Sequence, residues 1–194
     1  DEYDGDKALS VAMNPKTGEV LAMVSLPSFD SNKFITGFTD EEWNNLSSSK
    51  DTPMLARYQS TWVPGSSFKP VTGAIGIDTD SFSASDNFGS SGLNWQKDES
   101  WGDYKITTLT TYSGAANLRN AFIYSDNIYF AKAALKIGEE TFAKELLKIG
   151  FDKSLDFPIP MSSSEFADNN EFASEVQLAD SGYGQGKILV NPLH

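Results

Sequence analysis

Pro64-Gly65-Ser66-Ser67-Phe68-Lys69-Pro70 is the stretch from which the rest of this 194-residue sequence can be read. Pro64-Gly65 punctuates the chain, and Ser66–Ile77 then places Phe68, Val71, Ile75 and the small Ala74 as a buried helix requires. Ser66 and Lys69 stand three residues apart in it. On a helix that spacing sets a hydroxyl and an amine about 60° apart around the axis and roughly one turn apart along it. A serine in the first turn also meets unpartnered backbone N–H groups and the positive end of the helix dipole, both of which stabilise an oxyanion.

Composition restricts how such a serine could be activated. The sequence has no cysteine, and its one histidine, His194, is the last residue. Disulfides, thiolate nucleophiles, a Ser-His-Asp triad and a histidine-based metal site are therefore disfavoured, and no cofactor is called for. Lysine is the remaining base. A formal net charge of -12 argues against nucleic acid as a partner, because nothing would offset phosphate repulsion. No apolar run approaches the roughly 20 residues that span a bilayer, and no secretory signal pattern opens the chain.

Around that segment, Ala8–Asn14 and Val20–Leu26 read as two strands joined at Pro15-Lys16-Thr17-Gly18, a hairpin. Residues 1–6 read as a solvated lead-in, 7–27 as the hairpin, and 28–194 as a mainly helical and loop region of the same domain. A short helix opens at Asp40-Glu41-Glu42, capped by Thr39 or Asp40. Residues 79–115, rich in Ser, Asp, Gly and Thr, read as irregular. Leu118–Tyr124, Ile128–Ile137 and Glu139–Ile149 are helical runs, the last two closed by Lys-Ile-Gly with a left-handed glycine cap at Gly138 and Gly150. The chain then reads as loop up to Gln177 and ends in Ser181-Gly182-Tyr183-Gly184-Gln185-Gly186 and an apolar Ile188-Leu189-Val190.

The chemical motifs each occur with a decoy. S-x-x-K recurs at Ser47–Lys50, at the polar end of a short helix, where the serine reads as a solvated loop residue. S-D-N occurs at Ser85–Asn87, in a polar loop that fits an Asx-turn, and at Ser125–Asn127, between two helical runs. The second copy can present a hydroxyl and an amide on a rigid support. K-T-G occurs once, at Lys16–Gly18, before the other motifs and at a hairpin tip, and reads as turn composition; none follows Asn127. Gly182-x-Gly184-x-Gly186 does not follow a strand and open a helix, so a phosphate loop is not indicated. The carboxylates are dispersed, as on a solvated surface.

S-x-x-K, S-D-N and K-T-G together are the motif set of penicillin-binding proteins and class A β-lactamases, and longer stretches narrow the resemblance. Asn14–Ser25 with Pro27-Ser28-Phe29-Asp30, the Pro64–Pro70 segment and Leu178–Gly186 resemble class B penicillin-binding protein transpeptidase domains. Trp95-Gln96-Lys97-Asp98 with Ser100-Trp101-Gly102 is similar to their low-affinity Gram-positive subgroup.

The resemblance implies an α+β serine β-lactamase/D,D-transpeptidase-like fold: five antiparallel strands with helices on both sides. This chain would carry only the first hairpin and the mostly helical subdomain, its first strand leaving an unpaired edge. It implies peptidoglycan stem peptides as substrate and β-lactams as ligands, with cell-division or elongation proteins as partners. The whole protein would sit on the extracytoplasmic face of the membrane through an anchor outside this chain. Ser66 would be the nucleophile and donate half the oxyanion hole, Lys69 the base, Ser125 a proton relay and Asn127 a substrate and lysine ligand. The remaining oxyanion N–H and the carboxylate anchor would come from a later strand bearing K-T-G, so this piece alone should acylate slowly. A β-lactamase or β-lactam sensor of the same fold, and a non-catalytic cell-wall scaffold, are the competing readings.

Overall fold

The structure, a computed structural model, describes residues 6–194. The lead-in expected over residues 1–6 therefore lies, but for Asp6, outside the described residues. The chain divides into two compact units. One comprises Asp1–Thr61, Ser154–Ser162 and Asn191–His194; the other comprises Trp62–Lys153 and Ser163–Val190.

In the first unit, β1 (Ala8–Met13) pairs antiparallel with β2 (Val20–Leu26), from Ala8 opposite Leu26 to Met13 opposite Val20, with one irregularity between Ala12 and Met13. The tip closes as its composition predicts: Gly18 N–H donates to the Asn14 carbonyl at 2.9 Å, with Gly18 at φ 74°. Among the described residues β1 pairs with β2 alone. Leu21, Val24 and Leu26 are exposed, so the hairpin is not covered on both faces. After α1 (Lys33–Thr36) comes α2 (Asp40–Ser47). Thr39 is its cap: its side chain accepts from Glu42 N–H while the Glu42 carboxylate accepts from Thr39 N–H, a reciprocal capping box. Phe34, Phe38 and Trp43 pack edge to face around these helices.

The second unit is built on α5 (Asn127–Ile137), preceded by α3 (Lys69–Asp78) and α4 (Leu118–Ile123) and followed by α6 (Glu139–Lys148) and α7 (Glu175–Ser181). Ile128, Tyr129, Phe130, Ala131, Ala133, Ala134 and Ile137 are all buried, so α5 is surrounded rather than amphipathic. Small residues set how closely its neighbours approach. A Cβ on Gly182, just past α7, would lie 2.3 Å from the Phe130 carbonyl oxygen, and one on Gly76 of α3 would lie 1.9 Å from the Phe82 ring.

Four expectations are corrected. The helix read over Ser66–Ile77 begins as a 3-10 turn, Gly65–Phe68, and becomes α-helical at Lys69, because Pro70 suits only the first turn of α3. Its buried face is Phe68, Thr72, Gly73, Ile75 and Gly76, while Ala74 is exposed; Thr72 can be inside because its hydroxyl donates to the Gly182 carbonyl at 2.8 Å. Residues 79–115 contain a two-stranded ladder, β3 (Asn94–Trp95) with β4 (Ile106–Thr107), too short to show a period. Helix α7 starts at Glu175 inside the expected loop, with Ser174 accepting from Gln177 N–H. Gly138, at φ 84° and ψ 156°, is outside the left-handed helical region and serves as the end of α5 and the start of α6 at once.

Candidate active site

Ser66, Lys69, Ser125 and Asn127 come together within the second unit. Ser66 lies on the exposed 3-10 turn and Lys69 one turn on, 2 % exposed. Ser125 is the middle of the three residues, Tyr124 to Asp126, that link α4 to α5, and its φ of 52° is left-handed. Asp126 makes the tight entry possible by capping α5: Oδ1 accepts from the Ile128 and Tyr129 N–H groups at 2.9 and 3.2 Å. Its Oδ2 accepts from the Tyr112 hydroxyl at 2.9 Å, and the Tyr112 ring stacks on Tyr124 at 4.5 Å.

Lys69 Nζ lies 2.7 Å from the Ser125 carbonyl oxygen, 2.7 Å from Asn127 Oδ1, 2.8 Å from Ser125 Oγ and 3.0 Å from Ser66 Oγ. Two of these can only accept. A carbonyl has no proton, and Asn127 is oriented by its Nδ2, which donates to the Thr107 carbonyl at 2.9 Å. A neutral amine has two protons for those two acceptors, leaving its lone pair for a hydroxyl. Ser125 Oγ donates to Ser66 Oγ at 3.1 Å, so the Ser66 proton is the one free to point at the lysine lone pair. Burial favours that neutral form. It lowers the Lys69 pKa to about 8, against the opposing pull of the Asp126 carboxylate. The arrangement is thus a hydroxyl with a buried amine base and a second hydroxyl in contact with both.

The remaining motif copies are held otherwise. Ser47 Oγ donates to the Trp43 carbonyl at 2.7 Å on the last turn of α2. Asn87 Oδ1 accepts from Gly89 N–H, an Asx-turn, and from Ala116 N–H, both at 3.0 Å. Lys16–Gly18 stands at the hairpin tip. Among the described residues no group of three or more His, Cys, Asp or Glu side chains converges as a metal site.

With this geometry in place, the comparisons with known proteins are decisive. The model of the penicillin binding protein transpeptidase domain matches residues 8–194. The chain belongs to this family. Over 194 residues the transpeptidase-domain chain is 44% identical to penicillin-binding protein 3 of Bacillus subtilis, covering 100% of the chain and 29% of that protein. It is 27% identical over 200 residues to the peptidoglycan D,D-transpeptidase MrdA of Acinetobacter baumannii, covering 97% of the chain and 29% of the relative. It therefore spans less than a third of the length of these relatives. The fold is that of penicillin-binding protein A from M. tuberculosis, solved as a penicillin G acyl-enzyme complex: TM-score 0.84 at 22% identity, over 96% of this chain and 43% of that one.

Three contributors to the candidate site were not assigned to it by the sequence, although Gly184 lies in the glycine-rich stretch that carries part of the resemblance. Thr107 acts through a backbone carbonyl on a two-residue strand. Gly184, at φ 77°, accepts the Gly65 N–H at 2.9 Å, and a Cβ there would lie 2.1 Å from the Gly65 carbonyl oxygen. Its backbone is pressed against the turn that carries Ser66. Asp126 was visible as the middle of S-D-N, but its partner Tyr112 was not.

Proposed function

We propose that this chain supplies the acylating centre of a penicillin-binding D,D-transpeptidase that cross-links peptidoglycan. Ser66 Oγ attacks the carbonyl of the D-Ala-D-Ala bond of a stem peptide, and its proton passes to Lys69 Nζ. The Ser66 N–H donates to the oxyanion. The C–N bond then breaks, the departing D-Ala amine receives a proton through Ser125, and the peptide remains as an ester on Ser66. The amine of a neighbouring stem peptide attacks that ester, forming the cross-link and returning the hydroxyl. Asn127 hydrogen-bonds the peptide and Lys69. A β-lactam presents the same kind of amide bond within a strained ring, and its opening acylates Ser66.

One observation carries this reading: Lys69 is buried beneath two exposed hydroxyls, with both obligate acceptors already in place for a neutral amine. The relatives' names support the reaction class. Of the helices among the described residues, none is long and apolar enough to cross a membrane, and we place the whole protein at the extracytoplasmic face by a separate anchor. There its partners would be elongation or cell-division proteins. We also assign residues 1–194 to one transpeptidase domain, the hairpin over 7–27 and the site-bearing region over 28–194. The test is covalent labelling of the whole protein by a fluorescent penicillin, with the adduct located by peptide mass. A stable adduct on Ser66, abolished in Ser66→Ala, is expected. Labelling that survives Ser66→Ala, or rapid hydrolysis of the adduct, would overturn the reading.

A further inference from the structure

The three residues around Ser125 are gripped from one neighbouring segment. The Thr107 carbonyl at the end of β4 holds Asn127, and five residues on Tyr112 holds both flanks of Ser125. Its ring lies on Tyr124 with an interplanar angle of 5°, and its hydroxyl donates to Asp126 Oδ2 at 2.9 Å. Ser125, between them, has a left-handed backbone that non-glycine residues adopt only when the surroundings enforce it. We propose that Tyr112 is a positioning residue of the acylation site, pinning the Ser125 turn from both sides and offsetting the Asp126 charge that faces Lys69. This rests on the reading of Lys69 as the base for Ser66.

The charge balance is specific. Asp126 faces two cations, Lys69 and Lys132, and the Tyr112 phenol. Lys132 is committed to the Phe88 and Gly89 carbonyls and the Ser91 hydroxyl, and lies over the Trp95 ring. Among the described residues Lys69 faces, besides Asp126, neutral groups: Ser66, Ser125, Asn127 and the Phe130 ring at 5.8 Å. Burial first, and Asp126 second, push the Tyr112 phenol well above its ordinary range, so it stays a donor at any working pH. Tyr124 and Tyr129 are the other phenols facing Tyr112. Removing the donated O–H leaves the Asp126 charge less compensated, which favours the ammonium form of Lys69.

The experiment is a 13C NMR titration of the Lys69 Cε signal between pH 6 and 11, identified by its loss in Lys69→Met. Tyr112→Phe, which keeps the stacked ring, should raise the midpoint by about 0.5 or more while the protein stays folded. Asp126→Asn, which keeps a capping side chain, should lower it, and in that background Tyr112→Phe should move nothing. An unmoved midpoint in Tyr112→Phe, or the same movement with Asn at 126, overturns the proposal. The titration is read without acylation, so the two ideas fail separately. An unlabelled Ser66 would sink the proposed function, while the midpoints alone decide the role of Tyr112.

Discussion

Asn127 accepts a hydrogen bond from Lys69 Nζ at 2.7 Å through an oxygen whose direction is fixed, because the other end of its amide donates to the Thr107 carbonyl. The amide therefore determines which atom the lysine must face. Replacing it with a carboxylate of equal shape inverts the electrostatics: Asn127→Asp sets a negative charge beside the amine and holds it as ammonium. Acylation of the whole protein by a penicillin should fall about a hundredfold at neutral pH and recover partly as the pH is raised. Asn127→Ala should lose rate without that recovery. Equal pH profiles for the two variants would contradict this role for the amide.

With Lys69 as the proposed base for Ser66, a pH dependence of acylation follows. With its pKa lowered to about 8 by burial, the neutral base is the minority species at pH 7, so the rate should climb about tenfold per pH unit below that value and level off above it. The same shift acts on stability. Between about 8 and 10.5 the folded protein holds fewer protons at this site than the unfolded chain, so stability from this residue rises with pH across that window and its cost is complete below it. Lys69→Met should abolish that slope. Denaturant unfolding of both proteins at pH 8 and pH 10.5 isolates it, because every other titrating group is common to the pair.

Most of the candidate site could be read from the sequence because its spacing is local. Ser66 and Lys69 are one turn apart, and Ser125 and Asn127 flank a residue whose capping role is ordinary for aspartate. Context separated them from their copies: Ser47 has a carbonyl of its own helix to bind, and Asn87 has the turn amide of Gly89 and the distant amide of Ala116. What stayed hidden depends on distant backbone. The Thr107 carbonyl has no side-chain signature, the Tyr112–Asp126 bond joins residues on either side of α4, and a two-residue strand cannot alternate. On α3 the apolar period pointed to Ala74, yet Gly76 and Thr72 face inward, one vacating space for Phe82 and the other bonded to the Gly182 carbonyl.

Gly184 illustrates the cost of such hidden contacts. Gly184→Ala would force a side chain both into a left-handed conformation and to within 2.1 Å of the Gly65 carbonyl oxygen. Strain of about 1–2 kcal/mol and overpacking of about 1–3 kcal/mol should add. Gly186, at φ 66° but with its nearest neighbour 3.3 Å away, should show only the first of these on substitution. Urea unfolding of the two variants compares them directly. Since the displaced atom belongs to the turn bearing Ser66, Gly184→Ala should also slow acylation, whereas Gly186→Ala should leave it close to wild type.

Ser125 separates stability from activity at one position. Its left-handed backbone, at φ 52°, costs a residue with a Cβ about 1–2 kcal/mol, partly offset in glycine by about 0.5–1 kcal/mol of unfolded-state entropy. Its carbonyl, which receives Lys69, survives any substitution; its hydroxyl does not. Ser125→Gly should therefore unfold at higher denaturant than Ser125→Ala, by about 0.5–1 kcal/mol. Both should lose acylation to the same degree, on the order of a hundredfold or more. If alanine proved the more stable of the two, strain at this turn would be excluded. If only one of them lost acylation, the lost hydroxyl would not be the cause.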